Sequence, residues 1–205
     1  MYVATFSNLG IETNGIWKST DFGETFTRID RAPHALPGEF LNLSGRGITV
    51  DPHRHRTVYM ADRDTGIWRS RNAGASWYHV DSTRMVSVTV DPYDSNIVYA
   101  GAASDAGVLK STNGGSSFTP KNNGLLGARS SRTGSIQVDL KHPNVLYVGT
   151  EDNGVFKSYD SAETWFRINA GLDDQGVFGL AMAPGTPNIL YAATFSSVYK
   201  KTTSK

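Results

Sequence analysis

The 205-residue chain contains no cysteine, which excludes disulfides, thiolate nucleophiles and cysteine-ligated metals. It has no surplus of either charge: 20 Lys+Arg against 19 Asp+Glu leave +1, with no basic run and no acidic tail. Nucleic acid and anionic membranes are therefore not expected partners. No run approaches the roughly 20 apolar residues that span a bilayer. The start, Met1-Tyr2-Val3-Ala4-Thr5-Phe6, lacks the basic and long apolar regions of a signal peptide. No stretch sustains a 3.6-residue hydrophobic period, so few helices are expected. What is present, 39% hydrophobic and 11% aromatic residues, suffices for one folded core and argues against disorder.

One segment recurs four times: Gly15-Ile-Trp-Lys-Ser-Thr-Asp-Phe-Gly-Glu-Thr-Phe26, Gly66-Ile-Trp-Arg-Ser-Arg-Asn-Ala-Gly-Ala-Ser-Trp77, Gly107-Val-Leu-Lys-Ser-Thr-Asn-Gly-Gly-Ser-Ser-Phe118 and Gly154-Val-Phe-Lys-Ser-Tyr-Asp-Ser-Ala-Glu-Thr-Trp165. A decayed fifth copy begins at Ser197-Val-Tyr-Lys-Lys201. Its serines, Ser19, Ser70, Ser111 and Ser158, are spaced by 51, 41 and 47 residues, the size of a propeller blade. A second element runs in phase: Asp51, Asp91, Asp139 and Ala183 each precede a tyrosine (Tyr59, Tyr99, Tyr147, Tyr191) by eight residues. A nearby proline marks the turn between them.

Each repeat reads as four short strands: A (such as Gly47 to Val50), B (Thr57 to Ala61), C (Gly66 to Ser70) and D (Ser76 to Val80). Large residues such as Ile48 and Val50 alternate with small ones such as Gly47 in strand A, which lets neighbouring blades interdigitate. The expected fold is all-β, a β-propeller of four-stranded antiparallel blades. Five blade positions are assigned, at about 1–40, 41–82, 83–130, 131–175 and 176–205. The first lacks strand A and the last lacks strand D.

The repeated octet has the form Ser-x-Asp-x-Gly-x-Thr-Trp and resembles the Asp-box, or BNR repeat, superfamily. Ser19, Asp21, Gly23 and Phe26 match it fully. Ser70, Asn72, Gly74 and Trp77, then Ser111, Asn113, Gly115 and Phe118, carry Asn for Asp. Ser158, Asp160 and Trp165 carry Ala162 for Gly. The resemblance implies a propeller like those of sialidases, xyloglucan-active endoglucanases, sortilin-type receptors and photosystem II assembly factors. It favours an extracellular or periplasmic setting. The box itself is a fold device: a short acceptor takes backbone N–H bonds, Gly supplies positive φ, and the aromatic pins the C-D turn. Trp17, Trp68, Trp77 and Trp165 occupy repeat positions and are read as core.

Blades that lack strands leave open edges, which recruit partners unless covered. The open edges are consistent with an imperfectly closed ring, part of a larger propeller, or an assembly whose other copies supply strands; the last two are favoured together. Self-association or a protein partner is the resulting expectation, with a glycan as a further ligand.

Boxes and Asp-Pro turns share one face; the B-C loops and D-A connections share the other, where propellers usually bind ligands. Asp62 and Asp64 are the candidate catalytic acids. Asp64, Asp105 and Asp152 recur two residues before the repeat glycine, so turn chemistry competes with catalysis there. Arg63 and Glu151 are not repeated and are ligand-binding candidates. Arg84, Arg132 and Arg46 could converge on a carboxylate, against the plain alternative of solvated rim charges.

The Arg-Ile-Pro motif of sialidases is missing. A xyloglucan-type hydrolase needs two carboxylates across one bond, and Asp62 or Asp64 has no identifiable partner. The five histidines form no metal set, and no cofactor is expected. The reading is a noncatalytic binding or scaffolding propeller. The alternative is a glycoside hydrolase, sialidase-like or xyloglucan-active, or a subunit or remnant of one.

Overall fold

The computed structural model describes residues 1–5, 15–29, 47–103, 105–125, 133–183 and 189–202. Those residues form eighteen strands and no helix. The first sheet is β1 (Tyr2–Thr5), β2 (Gly15–Lys18) and β3 (Thr27–Arg28); the second is β4 (Ile48–Val50), β5 (Val58–Asp62), β6 (Gly66–Ser70) and β7 (Tyr78–Asp81). The third is β8 (Met85–Val90), β9 (Val98–Ala102), β10 (Val108–Ser111) and β11 (Thr119–Pro120). The fourth is β12 (Thr133–Val138), β13 (Leu146–Thr150), β14 (Gly154–Ser158) and β15 (Phe166–Arg167); the fifth is β16 (Val177–Met182), β17 (Ile189–Thr194) and β18 (Val198–Thr202). Every pairing is antiparallel between sequence neighbours. This is a β-propeller of four-stranded blades whose first and last positions hold three strands.

The A strands β4, β8, β12 and β16 contact one another in succession, so they form the narrow inner ends of the blades. In β8, β12 and β16 the large residues Val88, Ile136 and Leu180 are buried between consecutive sheets, whereas in β4 Ile48 is half-buried and Val50 exposed. Gly101 and Gly149 are small where the next sheet comes close: a Cβ on Gly101 would lie 2.7 Å from Thr133 Cβ, and one on Gly149 2.6 Å from Val177 Cγ1. Strand D begins later than the sequence suggests, at Tyr78 rather than Ser76, because the residues through Trp77 still belong to the box turn.

The box turns obey one hydrogen-bond scheme. Ser70 Oγ accepts from Gly74 N at 2.8 Å and donates to Asn72 Oδ1 at 3.0 Å, and Asn72 Oδ1 accepts from Ser76 N at 2.8 Å. Ser19, Ser111 and Ser158 repeat it. Two successive residues adopt positive φ in each box, not the glycine alone: Phe22 and Gly23, Ala73 and Gly74, Gly114 and Gly115, Ser161 and Ala162.

In the A-B turns it is the aspartate, more than the proline, that shapes the chain. Asp51 Oδ1 accepts from His53 N (2.9 Å) and Arg54 N (3.0 Å), and Asp91 and Asp139 bond equivalent amides. Side chains then tie these turns from sheet to sheet, as Ser95 Oγ does to Asp51 Oδ1 at 2.6 Å and His53 Nε2 to Pro92 O at 2.9 Å.

Between sheets, the B-strand tyrosines of the second and third sheets reach the next box. Tyr59 is buried and donates to Gly114 O at 2.9 Å, where Arg69 also donates. Tyr99 meets Ser161, whose carbonyl accepts from Lys110 Nζ at 2.8 Å. Burial raises the pKa of both phenols. The box aromatics complete the same seams. Trp165 is core (3% exposed). Trp17, Trp68 and Trp77 are only partly buried, and Phe26 is exposed in the first sheet.

Candidate functional site

On the loop face of the second sheet, Asp62 ends β5 and is completely buried. Its Oδ1 accepts from Asp64 N (3.0 Å), Thr65 N (2.7 Å) and Thr65 Oγ1 (2.7 Å). Thr150 and Thr194 occupy the same place, three residues after the repeat tyrosine, and their hydroxyls bond across the same turn. Asp62 is therefore the side chain that closes its B-C turn. In the second, fourth and fifth sheets turn closure falls on the residue that ends strand B, because its side chain faces the turn amides and carbonyls, and not on Asp64 or Asp152 as the sequence suggests.

Asp64 is exposed and lies 3.4 Å from Arg84 Nη2. Arg84 Nε donates to Arg63 O at 3.0 Å, so this arginine, between the second and third sheets, clamps the B-C loop of the second. Beside it, Trp68 Nε1 donates to Thr65 Oγ1 (3.0 Å), His79 Nε2 bonds Thr65 O (2.7 Å), and the two rings lie 4.8 Å apart. Arg63 is partly exposed and contributes its carbonyl to this group. Arg46 and Arg132 lie outside the described residues.

A second cluster on the same face joins the fourth and fifth sheets. Asp174 Oδ1 accepts from Gly176 N (3.0 Å), and Oδ2 from Ser196 N (3.1 Å) and Ser196 Oγ (2.8 Å). The Gly176 amide and the Ser196 hydroxyl and amide hold the Asp174 carboxyl below the usual carboxylate range, so at neutral pH it is an acceptor and not a proton donor. Arg167 donates to Asn153 O at 3.2 Å and to the Gln175 side-chain oxygen.

Phe195 is 82% exposed and sits edge-on to Phe178, with ring centroids 3.9 Å apart. Gly176 stands where these parts meet: a Cβ there would lie 3.1 Å from Glu151 O, 3.2 Å from Phe195 Cδ2 and 3.4 Å from Asp174 Oδ1. Of the sequence candidates only Glu151 belongs to this cluster, through its backbone. Asp174, Phe178 and Phe195 are not repeat positions and carried no motif.

An aromatic face, a fixed carboxylate, an amide and a guanidinium together offer an apolar surface for C–H groups and polar partners for hydroxyls. Among the described residues no group of three or more His, Asp or Glu is placed to hold a metal. On the opposite face, Arg54, His55, Arg56 and Arg71 surround an open groove of about 550 Å³.

The chain matches no family model. It is 27% identical to a xyloglucanase of Paenibacillus sp over 95% of its own length and 23% of that enzyme's. It is 32% identical to a xyloglucanase of Hypocrea jecorina over 66% of this chain and 16% of that one. Among solved structures, an ancestral GH74 enzyme superimposes with a TM-score of 0.63 at 25% identity, covering 79% of this chain and 24% of that chain. The GH74 enzyme of Niastella koreensis gives 0.71 at 18% identity, covering 97% and 33%. The chain thus spans about a quarter or less of the curated relatives it matches.

Proposed function

We propose that this chain is a propeller segment of a xyloglucan-active glycoside hydrolase, and that its loop face binds the polysaccharide. The observation that carries the reading is the likeness to a xyloglucanase along 95% of the chain. The Phe195, Asp174 and Arg167 cluster supports it, because it offers a sugar both an apolar platform and fixed polar partners. Glycosidic hydrolysis needs a carboxylic acid and a second carboxylate on opposite sides of one bond. Asp62 serves its turn and Asp64 faces Arg84, which supports neither as the acid of such a pair, and the part proposed for this chain is binding. The cleaving pair belongs to the propeller as a whole.

Affinity electrophoresis through gels containing tamarind xyloglucan, with mannan as control, tests this. Retardation by xyloglucan alone is expected, without release of reducing ends by the isolated chain. Equal mobility in both gels would refute polysaccharide binding, and release of reducing ends would refute the restriction to binding.

A further inference from the structure

The A-B turn of the second sheet carries Arg54, His55 and Arg56, and Arg71 follows the box serine Ser70 at the end of β6; all four are exposed. They surround the open groove of about 550 Å³, whose lining is completed by the buried Tyr59 and Gly114. That size lies within the range of small-molecule sites, about 300–1,000 Å³. Among the described residues no carboxylate forms an ion pair with Arg54, Arg56 or Arg71. The acids of the adjoining A-B turns are engaged in those turns: Asp51 Oδ1 accepts from the His53 and Arg54 amides and the Ser95 hydroxyl, and Asp94 Oδ1 from Asn96 N at 2.8 Å.

The other repeats show that the fold does not ask for these arginines. Arg54, His55 and Arg56 stand three, four and five residues after Asp51; the same places after Asp91 hold Asp94, Ser95 and Asn96, and after Asp139 they hold His142, Pro143 and Asn144. The place of Arg71 after its box serine is taken by Thr112 and Tyr159. In all three sheets the backbone builds the turn. The Arg54, Asp94 and His142 carbonyls accept from the Thr57, Ile97 and Val145 amides, and the Arg56, Asn96 and Asn144 carbonyls from the box amides of Ala73, Gly114 and Ser161.

The seam beside the groove differs in the same sense. Arg69 and Lys110 are equivalent, paired with Tyr59 and Tyr99 in their sheets, and each donates to a box carbonyl of the next sheet, Gly114 O and Ser161 O. Lys110 Nζ also lies 3.5 Å from Glu163, and Lys121 Nζ lies 2.6 Å from the same carboxylate. In the earlier box the place of Glu163 is held by Ser116, whose hydroxyl accepts from Arg69 at 2.9 Å. Arg69 Nε is buried without a hydrogen-bond partner, and burial, followed by the Arg71 charge, lowers the Arg69 pKa. The later seam carries its own carboxylate; where the arginines gather, a neutral serine stands in its place.

We propose that this groove binds a phosphoryl group of a small anionic ligand, with Arg54, Arg56 and Arg71 as the donors and Arg69 adding charge beside them. One guanidinium fork satisfies a single carboxylate. A phosphoryl group carries about −1.5 to −2 charge at pH 7 and three acceptor oxygens, which suits several forks at once. The inference does not depend on the polysaccharide reading, and its test contains no saccharide.

The test is isothermal titration of the 205-residue chain with inorganic pyrophosphate at constant ionic strength. One site per chain is expected. Arg71→Ala should weaken it roughly tenfold or more, the loss of a charge-assisted contact. Ser116→Glu, which copies Glu163 of the later seam, should weaken it comparably; both positions are exposed, so both variants are expected to fold. Arg84→Ala, on the loop face, removes the same charge elsewhere and should leave binding unchanged. Absence of binding, or equal losses in all three variants, overturns the inference, and citrate binding as tightly as pyrophosphate overturns the phosphoryl assignment. A thymidine oligonucleotide is the last arm: tighter binding than pyrophosphate would assign the groove to a phosphodiester strand and overturn the small ligand named here.

Discussion

The Tyr59 hydroxyl donates to Gly114 O at 2.9 Å across the seam between the second and third sheets. That bond joins the B-strand tyrosine of one repeat to the box of the next, so the two repeating elements of the sequence are the two halves of one contact. Arg69 donates to the same carbonyl, which keeps it satisfied when the phenol is lost. Tyr59→Phe should therefore cost about 1 kcal/mol, the ordinary net worth of a hydrogen bond, and not the larger penalty of a stranded buried acceptor. Urea denaturation measures it; a loss above about 3 kcal/mol would mean that Arg69 does not compensate.

The same buried phenols make an alkaline prediction. Tyr59 and Tyr99 have pKa values raised by burial above the usual 10.0. A raised folded-state value means their contribution is intact below pH 10 and drains as the pH climbs through the folded values. Thermal melts should fall off above pH 10, and less steeply in Tyr59→Phe.

The period, the boxes and the face that carries the loops were all legible in the sequence, because each is imposed by a constraint repeated four times. The individual roles were not. Asp62 reads as a loop carboxylate until Thr150 and Thr194 are seen in its place, closing the same turn with hydroxyls. Phe178 and Phe195 look unrelated in sequence. They meet because the register that pairs Val177 with Thr194 delivers both to one edge of the fifth sheet. Arg54, Arg56 and Arg71 form no basic run, yet a turn and a strand end gather them around one groove.

The boxes come in two chemical versions that differ in donor direction. In two of them Thr25 and Thr164 hydroxyls donate to the carboxylates of Asp21 and Asp160. In the others Asn72 and Asn113 amides donate to the hydroxyls of Ser76 and Ser117, at 2.9 and 2.8 Å. The Thr25 hydroxyl and amide hold Asp21 below its ordinary value of 3.8. At Asp160 burial pushes upward, and the bonds from Thr164 and Ser158 together outweigh it. A depressed folded-state pKa gives stability that is full above the unfolded value and is lost as pH falls through the folded one. Melting temperature should therefore decline as the pH drops below about 4. The double variant Asp160→Asn/Thr164→Ser, which copies the Asn113 and Ser117 box, should decline less steeply. An unchanged slope would locate the acid sensitivity elsewhere, in Asp21, Glu163 or Asp174.

Gly115 has φ +66, and a Cβ there would lie 2.5 Å from Cε1 of Tyr59. Gly115→Ala thus combines left-handed strain with a clash against a buried ring, and should cost about 2 kcal/mol or more. Ala162 holds the same position at φ +73, fully buried. Ala162→Gly relieves about 1 kcal/mol of strain but deletes a methyl worth about 0.8 kcal/mol, so it should be close to neutral. Denaturation of the two variants side by side checks the contrast, and equal losses would contradict it.

Phe195 gives the sharpest test of the loop face because it is 82% exposed and touches the fold chiefly through Phe178. Its removal should leave stability unchanged, since little of its surface is withdrawn from water. If the ring is a sugar platform, Phe195→Ala should weaken retention by xyloglucan roughly fivefold to tenfold, the equivalent of about 1 kcal/mol of ring contact. Arg84→Ala, at the separate cluster on the second sheet, should change retention much less. Affinity electrophoresis of both variants decides between the clusters: a larger loss for Arg84→Ala would move the binding site from the seam of the fourth and fifth sheets to the B-C loop that Asp62 closes.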